Sequence, residues 1–448
     1  MRIRLLNSLL KRLLSAVLLA FTLVYLLQMV SPLRLNSDAS MLLSMAVSAF
    51  EGQGYLFQGQ PTQFPPGYPF FIQTLLQLNI ASSAMLIFFN LLFLWIGLLV
   101  VRSWAKSGHS DSAKTALPAV FVLASWVMIK HITIPLTEFS YIGASFLSLS
   151  FVTVFWVQDG IRKWRCFAVA VILAIVAVLC RTVGLALFPV LFITMLLHRD
   201  HAFYHDWLRS RQKFIVVAGI IGLILAGCTW FVIRRTAWYE LQFISSGSYG
   251  KALATLYGKN FISTLFYSIQ WLTLEFGELF GNIPLYKAEF LRPVCYLIGL
   301  LSWCAVLYGA WLLLRSRRQL PLVLYFLSYS GVIFLWAAFE PRLFLPLLPL
   351  LSYLFFIAAD DAVHRWPFSR WPLRCYLVLY LLMGLISLTY STGISLSGKN
   401  FSELYGQGPT QMTYRYAFNN GKVLDMKRVD KDDLRLLQMF EPLAKRIP

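Results

Sequence analysis

Apolar runs of spanning or near-spanning length recur at about residues 13–30, 83–101, 115–135, 138–157, 166–182, 184–197, 214–233, 291–314, 319–338, 343–359 and 371–391. A helix that crosses the hydrocarbon needs about 20 apolar residues, and several of these runs fall short of that. With 58% of its 448 residues hydrophobic and 13% charged, the chain carries more apolar surface than a soluble fold can bury. Lipid must therefore be the solvent for most of it. The first run passes straight into Ser31-Pro32-Leu33-Arg34 without a small-residue cleavage pattern, so it reads as a retained anchor. The expected fold is an all-α polytopic membrane protein, a bundle of about eleven transmembrane helices read from those runs.

The formal charge of +19 suggests nucleic acid only until the basic residues are located. Most flank apolar runs, which is the pattern of membrane orientation and not of a nucleic-acid footprint. Arg2, Arg4, Lys11 and Arg12 precede the first run and are expected in the cytoplasm. Alternation then puts Arg102/Lys106/Lys114, Arg162/Lys163/Arg165, Arg199/Arg209/Arg211/Lys213, Arg315/Arg317/Arg318 and Arg365/Arg370/Arg374 on that side too. Counting Tyr68–Ile80 as a further span would reverse most of them, so that stretch is expected to lie on the surface or dip partly. The outer face would carry residues 31–82, the turn at Pro135–Glu138, a turn near Arg181, residues 234–290, the turn at Glu340–Arg342 and the tail 392–448. This describes a multi-pass protein of the cell (inner) membrane with a cytoplasmic N-terminus and an extracytoplasmic C-terminal tail. Its six cysteines show no CxxC or Cys/His spacing, which leaves no disulfide framework and no thiolate zinc site.

Ionisable residues gather at the outer face. Asn36-Ser37-Asp38 are good helix-starting residues, and Met41, Leu42, Met45, Ala46, Ala49 and Phe50 follow at helical spacing until Gly52 and Gly54. The result should be an amphipathic helix along the membrane, in which Asp38 plainly complements the helix dipole or does chemistry. Glu138 starts a span and has the same two readings. Arg181 interrupts a long apolar run, where it must face water, a partner or an anion, or snorkel to the headgroups. Glu340 and Arg342 form a third charged turn, at the least a local ion pair. In "QFPPGYP" the prolines and glycine set a chain reversal, and Tyr68 suits the interface.

Walker, GxSxG and HExxH motifs are missing, as are paired glycine-broken spans in matching halves. Of the six histidines only His131 approaches the outer face, so a histidine-rich metal site is not expected. No cofactor is expected to be required. Asp38 with Glu138 or His131 nevertheless offers ligands for a single divalent metal ion.

The motifs "SDAS" through "GQGY", then "FPPGYP", "LTEFSY", "CRTVGLALFP" and "EPRLFLPLLP", follow an N-in first span. This order resembles the polyprenyl-phosphate-sugar-dependent GT-C glycosyltransferases. In particular it is similar to bacterial relatives of protein O-mannosyltransferases and of the aminoarabinose lipid A transferases, over roughly residues 10–360. The resemblance implies a GT-C-like transmembrane catalytic domain over 1–391, with outer loops 31–82 and 234–290, and a C-terminal tail or small cap over 392–448. It implies Asp38 as catalytic base, Arg181 and Arg342 beside the donor phosphate, and Glu138 as a ligand of the sugar, the acceptor or a metal ion. Tyr68 is expected as a further substrate-binding residue, and no metal-ligand set is assigned. The expected partners are a polyprenyl-phosphate-linked sugar, a lipid, glycan or protein acceptor, and membrane lipids; no nucleic acid is expected. Inverting transfer at the outer face is the expected reaction. The loop has one Asp where the eukaryotic mannosyltransferases have an Asp-Glu pair. The proline motif lacks their histidine and the lysine of the aminoarabinose enzymes, and residues 234–290 hold no large folded insert. These departures argue against either named substrate. A transporter or flippase for a lipid-linked anion would use the same arginines without a base, and a membrane scaffold would use the loop to bind a protein.

In a background with the native cysteines replaced, Ser48→Cys and a cysteine in the tail should react with an impermeant thiol reagent in intact cells. Reaction only after permeabilisation would reverse the topology.

Overall fold

The computed structural model describes residues 2–62, 64–108, 115–158, 162–197, 266, 268–316, 319–334, 340–406, 408–418 and 429–441. Helix α1 (Arg2–Leu27) ends in a 3-10 turn, and an extended segment leads to α2 (Ser37–Phe50). Asn36 caps α2, its Oδ1 accepting from the Ala39 amide at 2.8 Å. Gly52 and Gly54 follow at φ +82° and +89°, a region glycine enters without a Cβ clash. Ala39, Leu42, Leu43, Met45, Ala46 and Val47 turn inward. Of the stripe read from the sequence, Leu42, Met45 and Ala46 are buried, Met41 and Ala49 are half-buried and Phe50 is exposed, so the inward face is rotated from the one expected.

Residues 68–80, read as surface-lying, are mostly α3 (Gly67–Gln77), which packs on α2 and on α8 (Arg162–Cys180). Gly67 makes this approach feasible, because a Cβ there would lie 2.5 Å from the Leu179 carbonyl oxygen. Long helices α4 (Ser83–Gly108), α7 (Thr137–Val157) and α8 form one packed layer. The bundle continues through α9 (Leu187–Leu197), α10 (268–281), α11 (Arg292–Ser316), α12 (Leu320–Phe334), α13 (Leu348–Arg365) and α14 (Arg370–Ser395).

Seven helical stretches among the described residues are long and apolar enough to cross a membrane: Arg12–Val30, Ser83–Lys106, Thr137–Val157, Arg162–Cys180, Glu289–Ser316, Pro341–Arg365 and Pro367–Ser395. The count of eleven from the sequence is therefore not reached there. Run 214–233 lies outside the described residues, and 335–338 of run 319–338 do too. Run 184–197 yields a 3-10 turn and an 11-residue helix, too short to cross alone. Run 115–135 breaks at Ser125 into α5 (Leu117–Ala124) and α6 (Trp126–His131). Asn282 explains the break. Its Oδ1 accepts from the Trp126 amide at 2.7 Å, and its Nδ2 donates to the carbonyls of Ala124 and Tyr380 at 2.9 Å each. A side chain thereby satisfies backbone groups that would be intolerable against lipid.

Residues 234–290 were expected as one outer loop. The described part differs: Phe276 and Phe280 of α10 belong to the main core, and Phe276 stacks on Trp303 of α11 at 4.0 Å. Gly277 and Gly299 let the two backbones approach, since a Cβ on either would strike a carbonyl of the other helix.

A second core lies at the end that carries α2. Beyond α14 the chain forms α15 (Phe401–Leu404), α16 (Gly408–Phe418) and α17 (Lys431–Phe440), and Leu436, Leu437 and Phe440 pack into that core. Tail side chains take the place of a neighbouring strand beside residues 33–35. Tyr414 donates to the Leu33 carbonyl at 2.5 Å and accepts from the Leu35 amide at 2.9 Å. Tyr405 donates to the Leu35 carbonyl at 2.9 Å, and Glu441 accepts from the Leu33 amide at 3.2 Å. Buried Arg34 donates to Ser391 and Ser395 at the end of α14, and burial pulls its guanidinium below its usual range. In α17, burial holds the Asp433 carboxyl above its usual range against the opposing effect of Ser40, two residues from Asp38.

Tyr414→Phe keeps the packing and strands one buried carbonyl and one buried amide, at a cost of about 1–3 kcal/mol for each group left unsatisfied. Faster amide exchange across residues 33–40, with little change in the spans, is the expected result. Unchanged exchange would show that the tail does not hold this segment.

Candidate active site

Four charged side chains meet under α2. Asp38 comes from its first turn and Glu138 from the first turn of α7. Arg181 precedes the 3-10 turn Thr182–Ala186, and Arg342 sits in the 3-10 segment Pro341–Leu347 that leads into α13. Each is locally anchored. Asn90 donates to the carbonyls of Ile132 and Ile134 at 3.0 Å and so fixes the approach to Glu138. The Arg181 amide donates to Ala177 and its carbonyl accepts from Gly184, both at 2.9 Å. Tyr329 donates to the Leu343 carbonyl at 2.8 Å and pins the turn beside Arg342.

The charges form a chain. Arg342 Nη2 lies 2.5 Å from Asp38 Oδ2, and its Nε lies 3.4 Å from both Glu138 Oε1 and Glu340 Oε2. Arg181 Nη1 lies 2.5 Å from Glu138 Oε1. Glu138 is 2% exposed, whereas Asp38 and Arg181 are 24% and 19% exposed and face a cavity of about 210 Å³. Leu42, Phe64, Pro65, Tyr329 and Val332 supply apolar wall, and Glu340, 58% exposed, stands at the rim.

The sequence singled out all four of these residues, and the structure brings them together. It also decides one reading and changes another. Arg181 was expected to face water, a partner or an anion, or to snorkel to the headgroups; it meets a partner, Glu138. Tyr68 was expected at the interface and among the substrate-binding residues. It is instead 1% exposed in the second core and absent from the cavity lining, because Gly67 seats α3 against α8. Its hydroxyl has no hydrogen-bond partner among the described residues. Tyr329 and Phe64 were missed, and no local signal marks either one as cavity-lining.

The ligands suggested for a divalent ion already have protein partners. Asp38 and Glu138 each carry an arginine, and His131 Nδ1 is within 2.8 Å of the Val127 carbonyl. Among the described residues no three His, Cys, Asp or Glu side chains gather at ligand spacing.

Long apolar helices, the amphipathic α2 at one end and an ion-paired cavity beneath it belong to a polytopic membrane protein, and its fold is the GT-C fold. The particular likeness is to ArnT from Cupriavidus metallidurans bound to undecaprenyl phosphate, with a TM-score of 0.52 at 16% identity, covering 91% of this chain and 68% of that one. The apo form of that protein gives 0.49 at 14% identity, with the same coverage. The Archaeoglobus fulgidus oligosaccharyltransferase complexed with Zn and sulfate gives 0.47 at 14% identity, covering 96% of this chain and 58% of that one. No protein-family model matches the sequence, and no curated protein matches it.

Removing one partner of a buried pair leaves an uncompensated charge, at a cost of about 3–5 kcal/mol. Glu138→Gln should therefore lower the thermal midpoint of the detergent-solubilised protein markedly. Glu138→Gln combined with Arg181→Met should recover much of the loss. Additive losses in the double variant would show that the two side chains do not depend on each other.

Proposed function

We propose that the protein is a membrane glycosyltransferase that moves a sugar from a polyprenyl-phosphate donor to an acceptor hydroxyl. The reaction would occur at the end that carries Asp38, the outer face of the membrane. The observation that carries this reading is the meeting of Asp38 with Arg342, and of Glu138 with Arg181, in one cavity at the end of a GT-C bundle. A sugar on a lipid phosphate is already activated, and the reaction asks for two things. Positive charge must stabilise the departing phosphate, and a base must receive the acceptor's proton.

Arg342 and Arg181 supply the charge. Asp38 receives the proton as the acceptor oxygen bonds to the anomeric carbon and the carbon–phosphate-oxygen bond breaks. A single displacement inverts that carbon. Arg342 Nη2 lies 2.5 Å from Asp38 Oδ2, so the guanidinium and the carboxylate meet at the point where phosphate and acceptor would arrive. Arriving phosphate competes for the same guanidinium and draws it from the carboxylate, so donor binding and base release are linked. Glu138 holds both arginines in place, within reach of the sugar.

One observation favours the transport reading. A second cavity of about 950 Å³ opens near the far ends of α4, α7 and α11, with Ser103, Ser150, Thr153 and Gln319 in its lining. Between the two cavities stands a buried pair, Tyr141 and Tyr325, whose hydroxyls are 2.9 Å apart. A carrier would have to open this pair, whereas the transferase works with it closed.

Asp38→Asn keeps shape and helix-starting ability but cannot take a proton, and loss of a general base lowers rate roughly 10²–10⁴-fold. Sugar transfer from a labelled polyprenyl-phosphate donor should fall by that factor in membranes with equal amounts of variant protein, with donor binding retained. Near-normal transfer would return Asp38 to a structural part at the helix start.

A further inference from the structure

Lys130 at the end of α6 and Lys287 in the loop before α11 lie over one aromatic surface. The Lys130 ammonium is 4.9 Å from the centre of the Tyr286 ring and 5.7 Å from that of Trp126. The Lys287 ammonium is 4.1 Å from the Tyr390 ring centre and 5.8 Å from that of Tyr286. Both lysines are exposed, and neither ammonium has an ion-pair or hydrogen-bond partner among the described residues. The acids whose fields reach Lys130 are Glu340 and Glu278, and the cations are Arg342 and Lys287. Those acids are engaged elsewhere. Glu340 lies beside Arg342, and Glu278 accepts from the Leu285 amide at 3.2 Å.

The loop that presents this surface is built and not loose. That same Glu278–Leu285 bond closes it, the Lys287 amide donates to the Pro284 carbonyl at 2.9 Å, and Leu285 is buried with Leu274 and Cys295. Two like charges are thus held over a single tyrosine ring with no ion-paired counter-ion among the described residues. Cation–π attraction offsets part of their repulsion, and an anion between them would remove it.

The surroundings indicate the kind of anion. Phe290 and Tyr286 are 82% and 64% exposed beside the lysines, and the outward faces of α11 and α14 carry Leu297, Leu301, Leu382 and Ile386 exposed. Such faces meet hydrocarbon, while aromatic and lysine side chains at their ends suit the headgroup layer. We propose that Lys130 and Lys287, across the Tyr286 ring, form a binding site for the phosphodiester headgroup of an anionic membrane phospholipid whose acyl chains lie along α11 and α14. The site is separate from the ion-paired cavity and does not depend on the transferase reading.

Native mass spectrometry of the detergent-solubilised full chain tests this with three probes at matched concentration: phosphatidylglycerol, phosphatidylcholine and glycerol 3-phosphate. An interfacial lysine contributes enough attraction to an anionic lipid that two should favour phosphatidylglycerol over phosphatidylcholine by roughly thirty-fold. Lys130→Gln with Lys287→Gln should abolish that preference, and Lys130→Arg with Lys287→Arg should keep it. If the glutamine pair does not fold, each single glutamine variant should lose part of the preference. An unchanged preference in the glutamine variants would overturn the site. Equal retention of glycerol 3-phosphate would overturn its assignment to a lipid.

Discussion

A charged side chain at the edge of hydrocarbon must find a partner, and here two arginines find theirs in two carboxylates brought from distant helices. Glu138 is the most enclosed of the four and touches both Arg181 and Arg342. Its burial is tolerable only because both guanidiniums are in place, and theirs only because it is. The chain Asp38–Arg342–Glu138–Arg181 therefore ties α2, α7, the end of α8 and the start of α13 to one geometry. The same residues face the cavity, so the interaction that holds this end together also sets the charge of the cavity wall.

Backbone satisfaction is the second constraint. A broken helix or an extended strand cannot remain unpaired beside lipid, and this chain resolves both cases with side chains from elsewhere. Asn282 closes the gap between α5 and α6, and Tyr405, Tyr414 and Glu441 pair the strand that leads to α2. In both places a side chain does what a neighbouring turn or strand does in an ordinary fold. The tail is consequently the seat of the helix that carries Asp38.

The pairing of Asp38 with Arg342 bears on how the cavity can work. Its lining sets two arginines against Asp38, Glu138 and, at the rim, Glu340. The lysines over Tyr286 show the opposite arrangement, with no ion-pair partner for either ammonium among the described residues.

Much of this was legible in the sequence. Apolar run length gave the membrane class, because hydrocarbon thickness is a fixed ruler. Asn36, Ser37 and Asp38 with the stripe that follows gave α2, because capping and periodicity are local. Asp38, Glu138, Arg181 and Arg342 stood out because ionisable groups beside apolar runs are costly without a purpose. Pairing was not legible: Asp38 and Arg342 are 304 positions apart, and nothing near Arg181 points to Glu138. The break at Ser125 was hidden for the same reason, since its cause lies at Asn282, and Tyr68 was misplaced because the close approach of Gly67 to Leu179 exists only once α3 and α8 have docked. Local preferences and hydropathy are properties of short stretches and can be read from them; which buried charge or backbone group meets which partner depends on the path of the whole chain.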